Sequence, residues 1–255
     1  MPSPRRYRLT WLPGLLVLLP LLGGCASTAE LDRDPRDPLE RYNRAVYTFN
    51  DTLDRWVLKP VAEGYDAVTP EPVNRSVSNV FGNLEDVGNL VNNAFQLKFD
   101  RAVSDMGRIT FNTTLGLFGI FDVASHMGFE KHNEDFGQTL GYWGMPAGPY
   151  FVVPFYGPST VRDASALSVD YTTSPYGYLP ITFEESLALG AVRVVDGRAA
   201  MLGATSLLED ASLDPYAFQR DAFLQHRRNL VHDGAPPPDE EEDMDFLDDL
   251  EGVGR

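Results

Sequence analysis

Side chains able to do catalysis are present in this 255-residue chain, but not at working spacings. The four histidines fall into two pairs, His126 with His132 and His226 with His232, each six residues apart. Two imidazoles that share a metal from one helix face need a separation near four, so neither pair has the spacing of a metal site. Ser159 and Asp163 are close to each other, yet no histidine is near them to act as a base. A nucleophile elbow of the form G-x-S-x-G is absent, as are a Walker-type phosphate loop and a G-x-G-x-x-G turn. The sequence therefore gives no support for an enzyme, a cofactor or a metal centre.

The one residue whose setting specifies a reaction is the only cysteine, Cys25. Arg5, Arg6 and Arg8 form a basic start, an apolar run follows from Leu9 to Leu22, and Gly23 and Gly24 supply small residues before the thiol. That order is a signal peptide, and its apolar run is too short and too rich in proline and glycine to span a bilayer well. Leu22-Gly23-Gly24-Cys25 resembles the lipobox of bacterial lipoproteins, in which the cysteine thiol is acylated after cleavage. With a single cysteine no intramolecular disulfide can form. Each buried methylene of an acyl chain contributes about 0.8 kcal/mol, so several chains anchor firmly. Ala26, where an aspartate would favour inner-membrane retention, points to export to the outer membrane.

Removal of residues 1–24 leaves 231 residues carrying 18 Lys and Arg against 37 Asp and Glu, a net charge of −19. Such a chain excludes nucleic acid as a partner and is repelled as a whole by anionic headgroups. No mature segment is apolar for long enough to be an ordinary transmembrane helix.

Residues 25–36 read as a polar tether. Asp37, Pro38 and Glu40 predict a capped helix start. Leu39, Tyr42, Val46, Phe49 and Leu53 then share one helix face, with Asn43, Asn50 and Asp54 off it. Pro60 predicts a second helix ending near Tyr65, and Thr69-Pro70-Glu71-Pro72 a turn. Helical periodicity runs from Val73 to Phe95 with a break near Gly82, and again from Phe99 to about Thr113; a short helix is expected between Leu115 and Met127. Residues 136–161 carry no charge but hold five glycines, four prolines and seven aromatics. That composition predicts an ordered apolar loop or hairpin, either packed within protein or lying against lipid. Thr182 with Glu185 and Asp214 with Pro215 open two later helices, the last stopping near Gly234. Residues 37–234 thus form the folded body, and residues 235–255 a proline-rich break with a tail of nine acids between Asp239 and Glu251. The expected fold class is all-α with one irregular hairpin.

These residues resemble the MlaA (VacJ) family of outer-membrane lipoproteins. Asp37-Pro38-Leu39-Glu40-Arg41-Tyr42-Asn43-Arg44 opens the match, and Phe49-Asn50, Leu53-Asp54 and Lys59-Pro60-Val61-Ala62 continue it. Phe136-Gly137-Gln138-Thr139-Leu140-Gly141, Gly148-Pro149-Tyr150, Gly157-Pro158-Ser159, Arg162-Asp163 and Asp214-Pro215-Tyr216 carry it to the last helix. The resemblance implies a ring of short broken helices lying in the outer membrane, lipid-anchored in the inner leaflet and facing the periplasm. It implies a central channel that removes mislocalised phospholipids from the outer leaflet and passes them to a periplasmic shuttle resembling MlaC, with a trimeric porin against the ring. Attachment falls on Cys25, channel gating on Phe49, Asn50, Gly141, Gly144 and Gly148, and headgroup contact on Arg198 and Arg220. Arg162 and Asp163 read as a local ion pair. The alternative from another class is a non-transporting envelope scaffold or adhesin, which shares the anchor but needs neither lumen nor hairpin.

Overall fold

The computed structural model describes residues 34–209 and 213–237. Cys25, the signal peptide and the acidic tail lie outside the described residues. Among the described residues 70% are helical, and there is one two-stranded hairpin. In chain order the elements are α1 (Glu40–Leu53), a π-helical segment (Asp54–Leu58), α2 (Lys59–Val68), α3 (Glu71–Phe95), α4 (Phe99–Thr114) and α5 (Val123–His126). Then come α6 (Phe136–Tyr142), β1 (Tyr150–Val153), β2 (Gly157–Thr160), α7 (Val161–Thr173), a 3-10 turn (Pro175–Tyr178), α8 (Phe183–Ala200), α9 (Leu202–Glu209) and α10 (Pro215–Val231).

The caps at Thr182 and Asp214 form as the sequence predicts. Thr182 and Glu185 exchange both bonds of a capping box, and Asp214 accepts from the Tyr216 and Ala217 amides. Four expectations need correction. Asp37 does not cap α1: its N-cap is Leu39, with no side-chain bond, because the Asp37 carboxylate is fully buried in a tertiary contact. Pro60 stands in the first turn of α2 as expected, but no break separates that helix from α1. Helix α2 follows α1 through the π segment, whose wider turn accommodates the missing proline amide without ending the rod, and continues past Tyr65 to Val68. No break occurs at Gly82, since α3 runs unbroken for 25 residues. A β-carbon at Gly82 would lie 2.5 Å from the Lys131 ammonium, the movable end of a flexible side chain. Finally, the uncharged stretch from Phe136 is not all loop. Its first seven residues form α6, capped by the Asp135 carboxylate on the Gln138 amide, and the expected hairpin follows. Helix α7, capped by Thr160, has no counterpart in the periodicity.

Polarity inside the fold is inverted. Among the described residues eight apolar side chains are buried, four of them alanines, against nineteen polar or charged ones. On α3, Asn83, Asp86, Asn89, Asn92 and Asn93 point inward with Gln96 at its C-cap, and Asp105, Arg108 and Asn112 of α4 are buried beside them. Large apolar residues lie outside instead: Phe99, Val103 and Met106 form an exposed face of α4, and Leu117 and Phe118 of the following loop are exposed too. The expected α1 face behaves the same way, for Leu39, Tyr42 and Phe49 are exposed while Asn43 is fully buried. In water this arrangement forfeits roughly 1.5–3 kcal/mol for each large apolar side chain left outside; against lipid it does not. None of the described helices is long and apolar enough to cross a membrane.

Candidate functional site

The hairpin and the helix that holds it form the candidate site. Strands β1 and β2 pair antiparallel with Tyr150 opposite Thr160 and Val153 opposite Gly157. The tip turns through Pro154, Phe155 and Tyr156, with Phe155 in left-handed backbone (φ 65°), and Gly157 closes it at φ 111°. A two-stranded hairpin is at best marginal alone. Here α1 supplies what a third strand would. Asn43 donates through Nδ2 to the Tyr150 carbonyl (3.1 Å) and accepts through Oδ1 from the Val152 amide (2.9 Å). Two helical turns on, Asn50 donates to the Val153 carbonyl (3.0 Å) and accepts from the Phe155 amide (2.8 Å). Each carboxamide thus takes the place of one backbone unit, Asn43 along the free edge of β1 and Asn50 at the turn beyond it. Tyr42 stacks on Phe151 at 5.3 Å, and Phe49 meets Phe155 edge to face at 5.1 Å.

Behind this clasp lies a buried node. Asp37 accepts from Asn43 Nδ2 (2.7 Å) and from the Tyr216 hydroxyl, and the Arg220 guanidinium stands 3.7 Å away. Tyr150 and Val152 pack inward against Tyr216 with Val46, Tyr47, Phe223 and Leu224 around them. Burial, with Asp37 adding to it, pushes the Tyr150 and Tyr216 hydroxyls well above the ordinary tyrosine range, so both stay neutral. Arg44 completes the tie to α10 through Asp214 (2.8 Å) and lies 4.3 Å over the Tyr216 ring.

On the other side of the hairpin, Arg227 of α10 bonds both Asp135 at the start of α6 and Asp163 of α7 (2.9 Å). Arg162 pairs with Asp163 at 2.9 Å, buried. Gly141 lies in α6, and a β-carbon there would stand 2.5 Å from Arg162 Nη1 and 2.9 Å from Val231. Gly144 and Gly148 occupy positive φ (89° and 69°) in the turn region between α6 and β1. Arg198 grips Asp54, the first residue of the π segment, with two bonds of 2.8 and 2.9 Å. Arg220 bonds Asp221 (3.1 Å) besides facing Asp37. Phe49 and Asn50 are therefore brought to the hairpin tip, whereas Arg198 and Arg220 lie at separate carboxylates. Asn43 and Tyr216 were missed as site residues. The signal for Asn43 was its position seven residues before Asn50, off the same apolar face.

An inverted helical body with a clasped apolar hairpin defines a helical protein of the membrane-associated class. The chain belongs to the MlaA lipoprotein family, whose sequence model matches residues 35–230. It is 33% identical over 242 residues to the Escherichia coli K12 intermembrane phospholipid transport system lipoprotein MlaA, covering 91% of this chain and 94% of that one. The Haemophilus influenzae protein of the same description is 31% identical over 218 residues, 84% of this chain and 87% of that one. An uncharacterized Rickettsia bellii protein is 35% identical over 200 residues, 78% of each. A solved structure described as the structural basis for maintenance of bacterial outer membrane lipid asymmetry superposes with a TM-score of 0.69 at 33% identity, over 78% of this chain and all of that one.

Proposed function

We infer that this chain is an outer-membrane lipoprotein that moves phospholipids between membranes and so maintains the lipid asymmetry of the outer membrane; it is not an enzyme. The observation that carries this is the inverted burial. A phospholipid has a polar headgroup and two apolar tails, and a body with apolar side chains outside and polar ones inside can sit among tails while offering headgroups a polar passage. Phospholipids from the outer leaflet enter that passage within a ring of helices and leave toward the periplasm, where a soluble shuttle resembling MlaC receives them. A trimeric porin holds the outside of the ring. Cys25 carries the acyl anchor.

The clasped hairpin gates the passage, with Phe49 and Asn50 holding its tip and Gly141, Gly144 and Gly148 shaping its base. Arg198 and Arg220 contact headgroups by exchanging a carboxylate partner for a lipid phosphate, an exchange of one anion for another. Deletion of the gene tests the function: surface phospholipid, measured with a membrane-impermeant amine reagent, should rise and return to normal on complementation. An unchanged outer leaflet in a strain lacking any paralogue overturns the transport function.

A further inference from the structure

Cations are in the minority in this chain, yet two converge at the corner between α3 and α4. Lys98 Nζ lies 2.6 Å from Asp233 and 3.5 Å from Glu134, and Arg101 Nη1 contacts the same two carboxylates. Together with Leu97, Phe99 and Asp100 they line a cavity of about 400 Å3. Its surroundings are apolar and exposed: Phe95, Leu97, Phe99, Val103 and Trp143 each show more than half of their surface. The Trp143 indole donates to the Phe95 carbonyl (3.1 Å), and the Lys98 ammonium sits 5.3 Å over the Tyr142 ring. Long cationic side chains within a rim of aromatic and aliphatic groups suit a membrane–water interface, where tails cover the rim and the charges meet headgroups.

The anion now held by these cations comes from the far end of the chain. Asp233 follows α10 in left-handed backbone (φ 54°), next to Gly234 (φ 83°). Burial pushes its pKa up, but Lys98 and Arg101 outweigh this and hold the carboxylate below its ordinary range, so it sits there charged. Lys98, Arg101, Glu134 and Asp233 sum to zero. Without Asp233 the three groups that remain in mutual contact carry +1, which suits one monoanion, while the exposed Asp100 carboxylate on the rim adds a solvent-screened −1. Asp100 on the exposed rim disfavours a dianion such as inorganic phosphate.

We propose that Lys98 and Arg101 bind the phosphodiester of a membrane phospholipid, with Phe95, Leu97 and Phe99 against its tails, and that Asp233 fills the anion position until a lipid displaces it. The proposal rests on the membrane-embedded function above and uses residues separate from Arg198 and Arg220. The test is photocrosslinking of the full-length acylated protein in phosphatidylglycerol vesicles containing a phosphatidylglycerol with a photoreactive tail, crosslinks being mapped by mass spectrometry. Wild type should label residues 95–103. Asp233→Asn should raise that yield several-fold, Lys98→Gln with Arg101→Gln should cut it about tenfold, and 10 mM inorganic phosphate should not compete. Glu63→Gln removes an acid elsewhere and should leave the yield unchanged. Labelling indifferent to Asp233→Asn, matched by Glu63→Gln, or competed by inorganic phosphate overturns the site. Surface phospholipid is measured in parallel in the deletion strain carrying the wild-type gene. If it is still cleared while labelling fails to respond, this site falls and the transport function stands; if it is not cleared yet labelling responds, the reverse holds.

Discussion

At the scale of single residues, asparagine does much of the work that backbone does in soluble folds. Asn43 and Asn50 bond the hairpin edge, Asn89 bonds the His132 carbonyl and the Glu134 amide, and Asn112 accepts from the Ala124 amide. An irregular segment in a body surrounded by lipid has no water to satisfy it, and a carboxamide on a neighbouring helix offers one donor and one acceptor at the spacing of a peptide unit. Removing Asn43 leaves two backbone groups unmet and removing Asn50 leaves the Phe155 amide unmet, the Val153 carbonyl keeping the Tyr156 amide, at about 1–3 kcal/mol for each group. Asn50→Ala should therefore free the hairpin tip and Asn43→Ala its base, each seen as faster amide hydrogen exchange across residues 150–156 while exchange in α3 and α4 stays unchanged. Equal protection in the variants would remove the clasp. The glycines divide by a different criterion. Gly141→Val forces a β-branched side chain onto Arg162 and Val231 and should lower accumulation of the protein. Gly144→Ala meets open space and costs only about 1–2 kcal/mol for its left-handed backbone, so it should accumulate normally.

At the scale of elements, α1 and the hairpin act as one unit. Deleting Phe49 and Asn50 removes the tip clasp and the Phe155 contact together, and turns the two parts of α1 by about 200° relative to each other. We expect an inserted protein that leaks lipid, dominant over a wild-type copy, because a leak is a gained activity; co-expression with measurement of surface lipid and envelope integrity checks it. A recessive phenotype equal to full deletion would make α1 merely structural. The junction of α6 and α7 carries a pH dependence. Asp170 accepts from the Phe136 amide (2.7 Å), and burial pushes its pKa up to about 6. Its pKa is thus higher folded than unfolded, so the folded state binds the proton more tightly and stability falls as pH rises from about 4 to 6. The penalty above pH 6 is at most about 3 kcal/mol and is reduced by solvent screening at this half-buried site. Asp170→Asn keeps an acceptor for Phe136 and should flatten the pH dependence of thermal unfolding in detergent; an unaltered profile would assign it elsewhere.

At the scale of the molecule, the inversion of polarity decides where the protein can fold. Buried Arg108 is satisfied by Asp86 (3.0 Å), Ser125 (2.8 Å), the Phe129 carbonyl (3.2 Å) and Asp122 (3.3 Å), so the polar interior is a connected network rather than a set of isolated charges. Breaking one partner of such a buried pair leaves an uncompensated charge, and Arg108→Met should destabilise by about 3–5 kcal/mol, seen as loss of accumulation, while Val103→Ala on the exposed face should not. Anchoring is set separately. Cys25→Ser should leave unprocessed precursor detectable by mass spectrometry, and normal cleavage with outer-membrane retention would exclude acylation there.

The sequence by itself determined the helical class, the later caps, the apolar hairpin and the family, because capping residues, periodicity and charge-free composition act over a few neighbours. It also placed Phe49 and Asn50 together and Asn43 off their apolar face. It could not say which face of α1 turns inward, since periodicity identifies a stripe but not the solvent that the stripe meets. Nor could it show that Asp37 leaves its cap for Tyr216, or that Pro60 is absorbed by a π turn. Those outcomes depend on groups 179 residues apart in one case and on the packing of a whole rod in the other. Local rules rank the choices open to each residue; only the tertiary structure decides which buried partner outbids the local one.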